Sequence, residues 1–121
     1  MNRIPQMTAL FLVMVSLMLI TATGSSHASA VQRIDINAHR FSYDPKEITV
    51  RKGQPVTLVF HSLDVGHGFF SEEFHVKTDI PKHGVSEVTF TPQQVGEFVG
   101  KCAHFCGAGH GGMQLKVNVT E

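Results

Sequence analysis

The chain has 121 residues, and its ten basic and ten acidic side chains give a formal net charge of zero at pH 7. This length allows one domain with one modest hydrophobic core. Because the chain has no basic excess, its composition argues against a nucleic-acid-binding protein.

The first predicted element is an apolar N-terminal segment of the kind that directs export. Arg3 supplies a positive charge, residues 7–22 are mostly apolar, and Ala28-Ser29-Ala30 resembles a signal-peptidase cleavage site. We expect a signal peptide over residues 1–30 and a separate domain over residues 31–121. The alternative is a short uncleaved membrane anchor, although the apolar run is short against the roughly 20 residues that span a bilayer. Either form places the domain outside the cytoplasmic membrane, free in the periplasm or anchored at the outer face of the membrane.

After residue 30 the chain alternates apolar and polar side chains over short runs. A period of two is typical of half-buried strands. The apolar positions of the clearest runs are Ile34, Ile36, Ile48, Val50, Val56, Leu58, Phe60, Val88, Phe90, Leu115, Val117 and Val119. Turn sequences such as Asp44-Pro45 and Lys52-Gly53 separate these runs. Several short strands at this spacing predict an all-β protein, a Greek-key sandwich or barrel.

The last third of the chain concentrates soft metal-binding groups within twelve residues: Cys102, Cys106, His110 and Met113. These are the chain's only two cysteines and the only methionine beyond the N-terminal segment. Thiolate and thioether ligands select copper(I) and related soft ions, and imidazole suits copper in both oxidation states. The cluster therefore predicts a copper site.

The pattern around the cluster predicts how its ligands converge. A strand is expected over Gly96–Lys101, a glycine-rich loop over residues 107–112, and the final strand from Met113. Glycines let a loop fold tightly, so neighbouring ligands can meet at one point. Met113 has the parity of Leu115, which predicts that its side chain points into the core.

A mononuclear blue-copper site needs two histidines, one cysteine and a weak axial methionine. Cys106, His110 and Met113 supply three of these ligands, and His67 is the best candidate for the fourth. His67 lies between two glycines in a predicted loop after a strand, where binding sites are often built. Phe69 and Phe70 follow it and are expected to form an apolar shell around the site.

The two cysteines have other interpretations. In an oxidising compartment, Cys102 and Cys106 could form a disulfide, but a disulfide does not explain why His67, His110 and Met113 accompany them. Zinc accepts two cysteines and two histidines, although the thioether argues against zinc as the working ion. A second thiolate also allows two copper ions to share both cysteines and to delocalise one electron.

At Cys102, Cys106, His110 and Met113 the chain resembles the binuclear copper A domain of cytochrome c oxidase subunit II and the related domain of nitrous oxide reductase. The family pattern is C-x-x-x-C-x-x-x-H-x-x-M, and all four positions match. Asp64-Val65-Gly66-His67 matches the upstream Asp-x-x-His element of the family. The resemblance covers nearly the whole region after residue 30.

The resemblance implies a cupredoxin fold that holds two copper ions, with one copper ion as the alternative. The implied ligands are His67 and Met113 for one copper, His110 and the backbone carbonyl of His104 for the other, and Cys102 and Cys106 for both. The implied neighbours of these ligands are Asp64, Phe69 and Phe105. Most oxidase subunits of this family carry glutamate where this chain has His104, so their nearby magnesium site is not expected here.

The expected function is one-electron transfer by an exported module, between a donor such as a c-type cytochrome and a terminal oxidase or reductase. The sequence shows no convincing nucleophile–base pair, and every predicted metal position is filled by protein, so we do not expect an enzyme by itself. One alternative is a subunit II of a terminal oxidase that is anchored through residues 7–22 and accepts electrons from cytochrome c. The others are a mononuclear blue-copper protein and a periplasmic copper carrier.

Overall fold

The computed structural model describes Gly24, residues 31–103 and residues 107–121, with His110 described by its backbone alone. Within these residues the chain forms nine strands and one short 3₁₀-helix, His110–Gly112. The strands are β1 (Gln32–His39), β2 (Ser42–Asp44), β3 (Glu47–Arg51), β4 (Val56–Ser62), β5 (His67–Ser71), β6 (Val76–Ile80), β7 (Val85–Phe90), β8 (Gly96–Lys101) and β9 (Gln114–Thr120). The predicted signal or anchor segment lies outside the described residues. In the part of the chain that is described, no helix has the length and apolarity needed to cross a membrane.

Two sheets pack face to face and confirm the predicted all-β sandwich. One sheet has the strand order β2-β1-β4-β7, and the other has the order β3-β9-β8-β5-β6. The pairs β1–β4 and β3–β9 are parallel, and the remaining pairs are antiparallel. Each parallel pair joins strands that are distant in sequence, so the fold is held together by non-local pairing.

The strands form where apolar and polar side chains alternate. In β3, Ile48 and Val50 are buried, while the residues between and beside them are exposed. In β9, Leu115 and Val117 are buried, while the residues between and beside them are exposed or half-buried. This alternation confirms the strands that the sequence predicts at β1, β3, β7, β8 and β9, and the structure also contains the predicted strand β4, which is buried on both faces. Burying one apolar face of each sheet against the other is the main stabilising contribution of such a sandwich.

Three aromatic rings form the centre of the core near one end of the sandwich. Phe60 and Phe69 lie with their ring centroids 4.8 Å apart, and Tyr43 meets Phe69 edge-on at 6.0 Å. All three side chains are fully buried. The Tyr43 hydroxyl donates a hydrogen bond of 2.5 Å to the carbonyl of Gly68, so the one polar atom of the cluster is satisfied.

The strand directions bring several connections to this same end. β1 and β4 run parallel and finish there, and β8 also finishes where β5 and β9 begin. The connections are the Arg40–Phe41 turn, the segment 63–66 after β4, and the segment 102–113 between β8 and β9. Residues distant in sequence are therefore brought close together at one edge of the core.

The structure differs from the predicted boundaries near this end. His67 is the first residue of β5 and not part of a loop, and Met113 comes just before β9 and not within it. The glycine-rich loop includes a single 3₁₀ turn, in which the Gly112 N–H bonds to the Gly109 carbonyl at 3.1 Å. Strands β2, β5 and β6 were not predicted, because they are short or lack a clean alternation of apolar and polar residues.

Candidate metal centre

Cys102 and Met113 face each other where β8 ends and β9 begins. The backbone N–H of Cys102 donates a hydrogen bond to the carbonyl of Met113 at 3.1 Å, which continues the β8–β9 pairing by one residue beyond Lys101 and Gln114. The Cys102 side chain is 6% exposed and that of Met113 is 1% exposed. A thiol and a thioether are therefore held side by side at the end of the core, largely out of water.

His67 is fully buried and has one nitrogen in a strong hydrogen bond. Its Nε2 lies 2.6 Å from Oδ1 of Asp64. An ionised carboxylate only accepts hydrogen bonds, so Nε2 carries the proton in this pair. In the neutral form of an imidazole that donates from Nε2, the lone pair lies on Nδ1.

The Nδ1 atom of His67 has no hydrogen-bond partner among the residues that the structure describes, although it is buried. A buried, unsatisfied polar atom is uncommon because it loses its hydrogen bonds to water without replacement. A metal bound at Nδ1 would satisfy it, and metal-bound histidines usually donate their other N–H to a carboxylate or carbonyl, as His67 does to Asp64. The residues present therefore fit a metal ligand at His67.

Asp64 is held as an anion by its neighbours. Its Oδ2 accepts the Arg40 backbone N–H at 2.8 Å, and its Oδ1 accepts the Val65 backbone N–H at 2.7 Å as well as His67 Nε2. Partial burial acts to raise the pKa of Asp64, but the hydrogen bonds from Arg40, His67 and Val65 outweigh it and lower that pKa from 3.8 to about 2. The carboxylate stays charged and keeps the His67 ring in one orientation across the physiological range.

This shift predicts an acid dependence of stability. A carboxyl whose folded pKa is lowered stabilises the fold above its unfolded pKa, and the contribution disappears as the pH falls from 3.8 towards 2. Because the Asp64 side chain is 32% exposed, we expect the loss to be only about 1 kcal/mol. Urea unfolding of the copper-free protein at several pH values between about 6 and 2 measures it. Asp64→Asn should make the free energy of unfolding depend less on pH in this range. Asp79→Asn, which removes an exposed carboxylate of β6, is the control and should leave this dependence in place. Identical profiles for the wild type and both variants would contradict the assignment.

The structure accounts for only part of the predicted ligand set. His104, Phe105 and Cys106 lie outside the described residues, and only the backbone of His110 is described, at the start of the 3₁₀ turn. Among the described residues, no three side chains of His, Cys, Asp or Glu are grouped as a metal site. The structure thus brings Cys102 and Met113 together and places Asp64 against His67.

The two phenylalanines after His67 point in opposite directions. Phe69 has the parity of His67 and is fully buried, whereas Phe70 is 42% exposed on the outer face of the sheet. The prediction that Phe70 helps to form an apolar shell is therefore wrong. Successive side chains of a strand point to opposite faces, so a strand that buries His67 and Phe69 must expose Phe70.

Sequence reasoning missed the Arg40–Phe41 turn. The Arg40 backbone binds Asp64, and the Phe41 ring occupies the space in which side chains at Gly107 and Gly109 would lie. The paired glycines were a signal that something approaches this loop closely. Nothing in the local sequence identified the approaching group as Phe41.

Comparisons with known proteins agree with the fold and with the sequence resemblance. The cupredoxin-like domain family matches residues 10–113. Cytochrome c oxidase subunit 2 of Thermus thermophilus is 34% identical over 84 residues, which are 69% of this chain and 62% of that protein. Nitrous-oxide reductase of Cupriavidus necator is 29% identical over 90 residues, which are 71% of this chain and 14% of the reductase. The chain spans between 13% and 62% of the length of the curated relatives that it matches.

A solved structure gives the same fold. The periplasmic domain of subunit II of cytochrome oxidase from Bradyrhizobium japonicum superposes with a TM-score of 0.69 and 21% sequence identity, covering 78% of this chain and 87% of that domain. At this level of identity the likeness concerns the fold alone. It confirms the cupredoxin-like sandwich that the sequence predicted.

Proposed function

The chain belongs to the cupredoxin-like domain family, and from this premise we propose that it is an exported copper protein that transfers single electrons through a binuclear centre. The proposed ligands are His67, Cys102, Cys106, His110, Met113 and the backbone carbonyl of His104. Two ions are proposed because both cysteines belong to the motif, and a single ion would leave one thiolate without a role. The similarity to proteins named cytochrome c oxidase subunit 2 and nitrous-oxide reductase supports this assignment.

The observation that carries the proposal is the buried, unpartnered Nδ1 of His67, noted above for the residues that the structure describes. Its other nitrogen is fixed by Asp64, so the ring presents its lone pair in a single direction. A structural histidine in a core would be expected to satisfy both nitrogens. A ligand histidine leaves one nitrogen for the metal.

The protein's own residues supply rigidity and exclude water. When bound, copper supplies a one-electron redox couple. Asp64 holds the His67 ring through a hydrogen bond with Nε2. The backbone hydrogen bond between Cys102 and Met113 keeps two further proposed ligands side by side. Ligands that keep the same positions in both oxidation states reduce the structural change that accompanies each electron transfer, and an apolar shell around them tunes the potential.

We extend the proposal to location and partners. Residues 1–30 would direct export, and residues 31–121 would form the copper domain in the periplasm. The donor would be a protein such as a c-type cytochrome, and the acceptor a terminal oxidase or reductase. The protein by itself would have no substrate chemistry.

In a second form of the proposal, the domain is subunit II of a terminal oxidase and is anchored in the membrane through residues 7–22. The name of its Thermus relative favours this form. N-terminal sequencing of the mature protein distinguishes the two forms. Cleavage after Ala30 supports a free module, and an intact N-terminal segment in the membrane fraction supports an anchored subunit.

The proposed centre is tested on protein expressed with its full sequence and loaded with copper. Electron paramagnetic resonance should show one unpaired electron shared by two equivalent copper nuclei, and the protein should be purple. A single-nucleus signal with a blue colour would reduce the centre to one copper ion and leave Cys102 outside it. Absence of any thiolate-to-copper absorption would overturn the proposal in favour of a Cys102–Cys106 disulfide or a copper carrier.

A further inference from the structure

The turn between β1 and β2 touches the segment that carries His67. The Arg40 backbone N–H donates a hydrogen bond to Oδ2 of Asp64 at 2.8 Å. One residue earlier in that segment, the Leu63 N–H donates to the Ala38 carbonyl at 2.9 Å. The turn is thus joined by one backbone hydrogen bond to Asp64, which orients His67, and the adjoining end of β1 is joined to Leu63 by another.

The same turn also touches the glycine-rich segment between Cys106 and Met113. A Cβ atom placed on Gly107 would lie 2.6 Å from the Phe41 ring, and one placed on Gly109 would lie 2.4 Å from it. Real Cβ atoms are essentially never found closer than 3.0 Å to another atom. The two glycines therefore allow the Phe41 ring to pack directly against the backbone of this segment.

This contact acts on a part of the chain that would otherwise have much conformational freedom. Four of the six residues between positions 107 and 112 are glycine, and glycine loses more backbone entropy on ordering than any other residue. The C-terminal end of the segment is fixed by the hydrogen bond between Cys102 and Met113. Its middle, next to His110, packs against Phe41.

We propose that the Arg40–Phe41 turn is a positioning element that holds the two ligand-bearing segments, 64–67 and 107–113, at a fixed separation, with Phe41 as the positioning residue. The inference rests on the proposed copper function. It assigns Phe41 a role in keeping the metal, through its packing against the glycine segment, and it does not require Phe41 to bind the metal.

The contact itself is tested on copper-free, full-length protein by a double-mutant cycle. Gly109→Ala should lower the folding equilibrium constant about tenfold when Phe41 is present, because the added methyl group overlaps the ring. In the Phe41→Ala background the same change should cost less than about twofold, since the overlapping ring is gone. Gly111→Ala is the matched control, because a Cβ on Gly111 meets nothing within 4 Å, and it should show no coupling to Phe41.

The positioning role is tested by the release of copper(I) to a chelator. Phe41→Ala should accelerate release by about tenfold or more, the scale on which supporting residues affect metal sites, and should broaden the copper hyperfine pattern. Phe41→Tyr keeps the ring and should behave like the wild type. Phe70→Ala removes a comparably exposed ring, 42% against 39%, from the outer face of β5 and should not change release.

The outcomes separate this proposal from the proposed function. Coupling between Phe41 and Gly109 together with faster copper release supports the positioning role. Coupling with an unchanged rate of copper release would overturn the positioning role, since the contact would then only stabilise the fold. Absence of coupling between Phe41 and Gly109 would overturn it as well, since the contact would then have no energetic effect. A wild-type protein that binds no copper would overturn the proposed function, and the positioning role with it, whatever the coupling.

Discussion

Replacing Cys102 with serine is expected to abolish the two-copper signature of the proposed centre while leaving the sandwich folded. A serine hydroxyl is a hard, protonated group and does not substitute for a thiolate that bridges two soft ions. The residue is buried just after β8, and serine is close to cysteine in size, so we expect the copper-free protein to lose about 1 to 2 kcal/mol of stability, the cost of burying a hydroxyl. Electron paramagnetic resonance and visible spectra of the copper-loaded variant measure the effect.

Met113→Leu is the control for this variant. It changes a neighbour of similar burial, keeps the side-chain volume and removes only a thioether, a ligand that is weak and axial in copper sites. We expect this variant to keep copper and to change its reduction potential. A Cys102→Ser protein whose copper spectrum matched that of the wild type would show that the thiolate is not a ligand.

Placing alanine at position 100 is expected to cost about 3 kcal/mol of stability, at the upper end of the usual range for overpacking. A Cβ on Gly100 would lie 2.1 Å from Cε2 and 2.3 Å from Cζ of Phe69. The Phe69 ring cannot easily move away, because Tyr43 and Phe60 pack against it within the core. Urea denaturation of the copper-free protein gives the change in the free energy of unfolding.

Gly111→Ala serves as the control here too, because its added methyl group meets open space, and we expect its effect to stay within about 0.5 kcal/mol. Combining Gly100→Ala with Phe69→Leu should recover part of the loss, since the smaller side chain leaves room for the methyl group. A Gly100→Ala protein as stable as the wild type would mean that the ring shifts at little cost, and that the close packing of Phe69 on β8 does not contribute to stability.

The sequence predicted strands most directly where apolar and polar residues alternate along the chain. Ile48 and Val50 in β3 show this, as do Leu115 and Val117 in β9. β5 was missed because Gly68 interrupts the pattern and is itself buried. Once His67 is recognised as part of a strand, its parity fixes the orientation of the residues that follow it.

The candidate site was predictable to the extent that its residues are close together in sequence. Cys102 and Met113 belong to one short motif, and Asp64 lies three residues before His67. The contact of Phe41 with Gly109 joins residues far apart in the chain and depends on how the strands end together. Such a contact has no local pattern and requires the fold to be known first.

The parallel pairing of β3 with β9 joins an early strand of the chain to its last described strand. β9 lies between β3 and β8 in its sheet, so β3 belongs to that sheet only through β9. Ile48 pairs with Val117, and non-local pairing of this kind makes folding slow. Because Met113 immediately precedes β9, the strand that holds β3 in the sheet is also the strand that places Met113 beside Cys102.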